Sequence, residues 1–485
     1  MDILDANPIS FSAFPDDKAV FEPLNPEDVR AYLHKAVDFI SDYYTNVESM
    51  PVLPNVKPGY LQDELSASPP THSAPFDVTM KELRTSVVPG MTHWASPNFF
   101  AFFPSTNSAA AIAGNLIASA MNTVGFTWQA SPAATEMEVL ALDWLAQLLR
   151  LPTTFMNRTS TRRGTGGGVI LGTTSEAMLV TLVAARDAAL NRSGSVGVSH
   201  LPRLAVYAAD QTHSTFFKAC RLAGFDPANI RSIPTGPETN YRLNPSKLLE
   251  VMQADADAGL VPTYVCATVG TTSSNAVDPV GAIADVAAMF NAWVHVDAAY
   301  AGSACICPEF RHHLDGVEHV DSISMSPHKW LLTCLDCTCL YVRDAHRLSD
   351  SLETNPEYLK NDATESGEVT DLKDMQVGIG RRFRGLKLWM VMRTYGTAKL
   401  QEHIRSDVAM AKMIKPSGAM TEEDADEANR VLMENLNKTG KAYLAHTVVG
   451  DKFVLRFAVG SSLQEERHVT SAWDLIKKTT SGIMD

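Results

Sequence analysis

The sequence has little that would attach it to a nucleic acid or a membrane. Its 41 lysines and arginines are outnumbered by 55 aspartates and glutamates, for a formal charge of −14. No basic run concentrates the positive charge, so the electrostatic footprint of a nucleic-acid-binding protein is missing. No stretch of about 18 apolar residues occurs, which argues against a membrane span. The opening segment MDILDANPISFSAFPDDK is acidic and lacks the apolar centre of a secretory signal. Internal repeats and low-complexity tracts are absent. Cysteine is scarce and odd in number, seven in 485 residues. Cys334 and Cys337 form a lone C-x-x-C with no second pair or H-x₃-H at usable spacing, which reads as a strand of small apolar residues with reduced thiols and no metal. A cytoplasmic globular protein is expected, and 485 residues allow two to four domains.

What is present has a clear order along the chain. Residues 24–107 read as helices broken by proline-rich connections, with PEDVRAYLHKAVDFISDYY carrying a helical apolar period behind an initial Pro. From Asn107 to about residue 345, helical patterns alternate with short apolar runs at 168–172, 204–209, 263–270, 293–298, 322–326 and 339–344. That alternation predicts an α/β fold with a doubly wound, mostly parallel sheet, which binds ligands beyond the C-terminal ends of its strands. Residues 346–375 are polar with no convincing period, as in a lid loop. A helix around 386–413, a hairpin pairing AYLAHTVVG with DKFVLRFAVG, and a last helix near 465–480 complete a small C-terminal α/β segment. The expected division is an N-terminal helical segment 1–107, a large domain 108–386 and a small domain 387–485.

Three short segments each set a polar residue just past a strand. Thr173-Thr174-Ser175-Glu176 opens a helix, and its T-x-x-E spacing is a capping box. A helix N-terminus with free N–H groups and hydroxyls is also a ready phosphate site. The neighbouring GTGGG is no P-loop, because no Gly-Lys-Ser/Thr follows. Asp297 ends the apolar run WVHVDA, where a carboxylate is expensive unless it meets a cation or a donor. Lys329, in SMSPHKWLL, would lose charge by desolvation if wedged between apolar strands and so become nucleophilic. Taken singly these are a helix cap, a paired acid and an ordinary lysine. Together, a phosphate cradle, a buried acid and an activated lysine are the three handles that hold pyridoxal phosphate. His213, in DQTHS after the second strand, is placed to stack on such a ring.

The segments THWASPNFFAFFPS, SPAATEMEV, GTTSEA, DQTHS, HVDAAYAGSACICPEFR, SPHKWLL and GRRFRGLKLW resemble the group II pyridoxal-phosphate decarboxylases, and within them the plant aromatic L-amino-acid decarboxylases. The likeness runs from about residue 20 nearly to the C-terminus. It implies a fold type I pyridoxal-phosphate enzyme with Lys329 as the Schiff-base lysine, Asp297 as partner of the pyridinium nitrogen that stabilises the quinonoid, and His213 stacked on the ring opposite Ala299. Thr174, Ser175 and Ser326 would contact phosphate, and Thr272 would lie near the ring. Tyr358, in TNPEYLKN, matches the family's catalytic-loop tyrosine, whose phenol can protonate the α-carbon. Members with Phe there resemble oxygen-consuming aldehyde synthases.

Trp94, Phe102, Phe103, Pro104 and Phe126 match the family's apolar substrate pocket, although NFFAFF read without it is a plain core cluster. Gly380 stands where members resembling tyrosine enzymes tend to carry Ser. Losing that side chain makes room for an indole, which predicts L-tryptophan over L-tyrosine or DOPA as substrate. The resemblance further implies a homodimer whose lids cross the interface to complete each active site. A cofactor-free scaffold is the contrasting reading, and the joint presence of Lys329 and Asp297 speaks against it. One departure stands out: DVAMAKM runs straight into IKPSG at Met413-Ile414, where family members carry a turn and a strand.

Overall fold

The structure, a computed structural model, describes residues 21–157, 166–192, 198–354, 356–414 and 422–484; the opening segment discussed above therefore lies outside the described residues. Contacts divide the chain into two compact units, Met1–Ser96 and Pro97–Asp485. In the first, the proline-led helix Pro26–Asn46 starts where Asn25 Oδ1 accepts the N–H groups of Glu27 and Asp28, as a cap should. Its ring contacts include Tyr32 stacked on Phe76, and the short helices Tyr60–Glu64 and Phe76–Glu82 follow.

The second unit is built on a seven-stranded sheet: β1 (Gly167–Leu171), β2 (Leu204–Ala209), β3 (Ile230–Ile233), β4 (Val261–Thr268), β5 (Trp293–Asp297), β6 (Ser322–Met325) and β7 (Thr338–Val342), in the order β1-β7-β6-β5-β4-β2-β3. β7 is antiparallel to both its neighbours, while the pairs β6–β5, β5–β4, β4–β2 and β2–β3 are parallel. Alternate residues feed two separate cores: Tyr207, Val265 and Val296 on one face, and Val206, Ala208 and Tyr264 on the other. Burial on both faces is why these strands read as unbroken apolar runs.

Six of the seven strands coincide with the expected runs. β3, with only two apolar residues in IRSI, is the exception, being a half-exposed edge strand. The segment 346–375 is more structured than its composition suggests. It holds a helix at His346–Leu352 and short turns at Glu357–Leu359, Asp362–Glu365 and Leu372–Met375, and it buries Leu348, Leu359, Leu372 and Met375. Elements of three to seven residues are too short for a period to show.

The helix Arg384–Ala411 is broken in backbone angle at Gly396 (φ 65°). Ile414 still bonds back to Ala411, while Lys415 to Ser417, the continuation of the Met413-Ile414 junction, lie outside the described residues. The hairpin is present as β8 (Ala445–Val449) and β9 (Lys452–Arg456), and the last helix spans Glu466–Met484. A core of Phe100, Met410, Leu436, Val459 and Val469 joins these pieces.

Candidate active site

The polar residues singled out in the sequence all follow C-terminal strand ends. Asp297 closes β5, Thr174 and Ser175 follow β1, His213 follows β2, and Lys329 follows β6. One cavity of about 180 Å³ is lined by Thr173, Thr174, Ser175, His213, Asp297 and Lys329, with Thr272 and Ala299 also in its wall.

The capping expectation at the start of the helix Thr174–Arg192 holds in altered form. Thr173 Oγ1 accepts the Glu176 N–H at 3.3 Å, while the Glu176 carboxylate reaches past the cap to the Gly172 N–H at 3.2 Å. Behind this helix start lies a hydroxyl cluster. Thr174 Oγ1 is 3.0 Å from Ser326 Oγ, which is 2.8 Å from Thr338 Oγ1, and Ser175 hydrogen-bonds Thr215. Ser326 and Thr338 meet because β7 runs back beside β6. Hydroxyls and helix N–H groups converging on one end of a cavity form an anion site.

Asp297 is 6 % exposed, and one of its oxygens accepts the Ala299 N–H at 3.0 Å. Burial lowers the Lys329 pKa, with Asp297 pulling the other way, so the amine is held closer to its neutral, nucleophilic form. Its Nζ lies 5.2 Å from the centroid of the Phe103 ring. His213 Nδ1 accepts the Thr215 N–H at 3.1 Å, which leaves the proton of the neutral ring on Nε2. Burial lowers its pKa, Asp297 opposes this, and Lys329 adds to it.

Whether pyridoxal phosphate fits can be tested on the wall itself. Thr268 Oγ1 is buried, lines the cavity and has no hydrogen-bond partner, a state that native structures seldom leave uncompensated. At Gly270 (φ +88°) a Cβ would come 2.5 Å from Ala301 Cβ, so only glycine lets the chain close here. An acid on one wall, a neutralised lysine on another, hydroxyls at a helix start and an orphaned hydroxyl suit a phosphorylated, hydrogen-bonding ring. The residues fit the group.

The other expected site residues are placed unevenly. Phe103 lines the cavity, but Phe102 takes a left-handed backbone (φ 52°) and is 43 % exposed. Pro104 is buried, Phe126 is half-buried with its carbonyl accepting the Lys373 N–H, and Trp94, in the first unit, is 41 % exposed. Tyr358 is 80 % exposed. Gly380 lines a different cleft with Asp336, Arg381 and Arg384, and no atom lies within 4 Å of where its Cβ would be. Conversely, Thr215, Thr268, Tyr300 and His328 line the cavity unannounced. Tyr300 and His328 belong to the motifs HVDAAYAG and SPHKW, and Thr268 ends a parallel strand; position at a strand end was the usable signal.

A family model described as the pyridoxal-dependent decarboxylase conserved domain matches residues 58–425. The chain is 81 % identical to tryptophan decarboxylase 1 of Oryza sativa subsp. japonica, with all of both chains covered. That alignment runs over 514 positions, so the rice protein carries residues this chain of 485 lacks. Among solved structures, Oryza sativa TDC with PLP and tryptamine superposes with a TM-score of 0.93 at 81 % identity, covering 96 % of this chain and 100 % of that one. Catharanthus roseus tryptophan decarboxylase in complex with L-tryptophan gives 0.88 at 50 % identity, covering 95 % and 100 %.

Proposed function

This chain belongs to the pyridoxal-dependent decarboxylase family, and we propose that it converts L-tryptophan to tryptamine and carbon dioxide with pyridoxal 5'-phosphate as cofactor. The observation that carries this reading is the convergence of Lys329, Asp297 and the Thr174/Ser175 helix start on one cavity, in a chain 81 % identical to a rice tryptophan decarboxylase. When bound, the cofactor supplies a conjugated sink for the electron pair that the departing carboxylate leaves on the α-carbon.

The chain's own residues do the rest. Lys329, its charge weakened by burial, supplies the nitrogen that links covalently to the cofactor. Asp297, fixed by the Ala299 N–H, holds the proton on the pyridine nitrogen and so keeps the ring electron-poor. Thr174, Ser175 and Ser326 would hold the phosphate at the helix start, and Thr272 would help hold the ring. His213 and Ala299, both in the cavity wall, would hold the ring between them. Phe103, on the cavity wall, would begin an apolar seat for the indole that Phe102, Pro104 and Phe126 extend, excluding water from the reacting carbon. Tyr358 delivers the proton to that carbon.

In one chain Tyr358 and Gly380 stand apart from the Lys329 cavity. We therefore read the working form as a homodimer, with each lid segment reaching its partner's cavity, and separately propose the cytoplasm as its location. The exposed Tyr358 ring and the open space around Gly380 support this arrangement.

The test is to incubate holoenzyme separately with L-tryptophan and L-tyrosine and to quantify amine, aldehyde and peroxide. Tryptamine without peroxide is expected. Tyramine would overturn the substrate, and aldehyde with peroxide would make the chain an aldehyde synthase and remove Tyr358 from its role.

A further inference from the structure

Three rings stand in one stack that begins in the cavity wall. Phe103 and Tyr300 have centroids 3.9 Å apart at 20°, and Tyr300 and Trp330 5.0 Å apart at 18°. The Lys329 amine lies 5.2 Å from the centroid of the Phe103 ring and the Arg456 guanidinium 5.1 Å from it. At the far end of the stack, the Trp330 Nε1–H donates to Asp407 Oδ2 at 2.7 Å. Asp407 comes from the helix Arg384–Ala411, outside the catalytic sheet, and is 3 % exposed.

A carboxylate so placed needs an explanation. Burial raises its pKa to about 7. The groups facing it are the Trp330 indole, His403 Nε2 at 3.4 Å, and the Tyr300 phenol. Among the described residues, no lysine or arginine pairs with it, and His403, lowered by burial to about 4, stands beside it as a neutral ring. The chain also makes room for the indole that Asp407 grips. At Gly460 (φ +145°) a Cβ would lie 3.0 Å from Trp330 Nε1 and 2.8 Å from Pro104 Cγ, so a side chain there would push the indole aside.

We infer that Asp407 is a positioning residue for the proposed decarboxylation: by holding the Trp330 indole it fixes the lysine next in sequence and the ring stack against which that lysine's amine rests. Two routes converge on Lys329. The backbone route is a single residue long, since Trp330 directly follows Lys329. The side-chain route passes through Tyr300 and Phe103, both of which line the cavity. A directional hydrogen bond sets the rotation of the indole, which apolar packing alone leaves free to slide. Asp407 therefore acts on the site without touching substrate or cofactor.

The inference rests on the cofactor reading above. Its test uses pyridoxal-phosphate-loaded enzyme carrying Asp407→Ala, Asp407→Asn, Trp330→Phe and the double variant Asp407→Ala/Trp330→Phe. Two readouts are taken: the visible circular dichroism of the bound cofactor, and kcat and KM for L-tryptophan. Asp407→Ala and Trp330→Phe should each weaken the dichroism and lower kcat/KM by about tenfold, the scale of one lost hydrogen bond to a buried acceptor. The double variant should be no worse than either single one, because both remove the same link. Asp407→Asn keeps an oxygen acceptor and should recover most of the loss. Losses that multiply in the double variant, or a Trp330→Phe enzyme with unchanged dichroism, would overturn the inference. Should Asp407→Ala fail to fold, the contrast between Asp407→Asn and Trp330→Phe decides alone. Dichroism reports the cofactor's seat whether or not tryptamine forms, so failure of the substrate reading stays distinguishable.

Discussion

Glu138 and Arg381, 243 residues apart in sequence, form an ion pair with side chains only 4 % and 2 % exposed, and the same Glu138 oxygen accepts the Ile170 N–H of β1 at 2.7 Å. The pair ties the segment carrying Gly380 to the edge of the sheet. Arg381 also donates to Gln376 and to the Leu372 carbonyl, so one guanidinium orders both sides of the Gly380 turn.

Removing one partner of such a pair leaves a buried charge uncompensated. Arg381→Met is expected to destabilise the unit by about 3–5 kcal/mol. Glu138→Gln combined with Arg381→Met should be less damaging, since no net charge stays buried and Gln can still accept from Ile170. Urea unfolding midpoints of the three proteins check this.

Lys329→Ala removes the amine proposed to link to the cofactor. The visible absorption of the covalently bound cofactor should vanish and tryptamine output should fall at least a thousandfold, roughly the weight of a nucleophilic group acting with its partners. The far-ultraviolet circular dichroism should stay unchanged. Retained visible absorption after dialysis would take Lys329 out of its assigned role.

The pH dependence of stability carries two opposed contributions. Burial raises Asp407 to about 7, so between about pH 4 and pH 7 the folded chain keeps a proton that the unfolded chain has released, and stability falls as pH rises through that window. Burial lowers His295, His328 and His403 to about 4. Below about pH 6.5 the unfolded chain therefore binds protons that the folded one refuses, and stability falls as pH drops. In the wild type the aspartate offsets part of the histidine loss. Asp407→Asn removes that offset, so its unfolding free energy should drop more between about pH 7.5 and about pH 5 than the wild type's, by about 2–3 kcal/mol. Equal drops would mean that Asp407 titrates normally.

Gly380→Ser meets no atom within 4 Å of its Cβ and needs no unusual backbone, so the fold should accept it and the effect should read on substrate. Discrimination between L-tryptophan and L-tyrosine is expected to move toward tyrosine by roughly 10- to 100-fold in the ratio of kcat/KM values. Tyr358→Phe keeps the ring and loses the phenol proposed as proton donor, and should shift products from amine toward aldehyde and peroxide. Unchanged amine output from it would leave the α-carbon proton to another group.

Local pattern was enough for much of this protein. Strands buried on both faces announce themselves as apolar runs, as in LAVYAA and TYVCATVG, and the capped helix start at Thr173 and the long helix after Arg384 were equally visible. The motifs around Asp297 and Lys329 point to the cofactor on their own, because each handle sits within a few residues of a strand end and the fold class brings strand ends together. Period and motif are local, however, and several features are not. That β7 runs against its neighbours, and so sets Thr338 beside Ser326, leaves no trace in hydropathy. β3 hides because an edge strand has one poorly covered face. The burial of Leu372 and Met375 inside a polar stretch, the separation of Gly380 and Tyr358 from the Lys329 cavity, and the bond from Asp407 to Trp330 across 77 residues depend on which distant surfaces meet. Packing across the whole chain decides that, through charges that cannot be buried alone and rings that need a fixed neighbour.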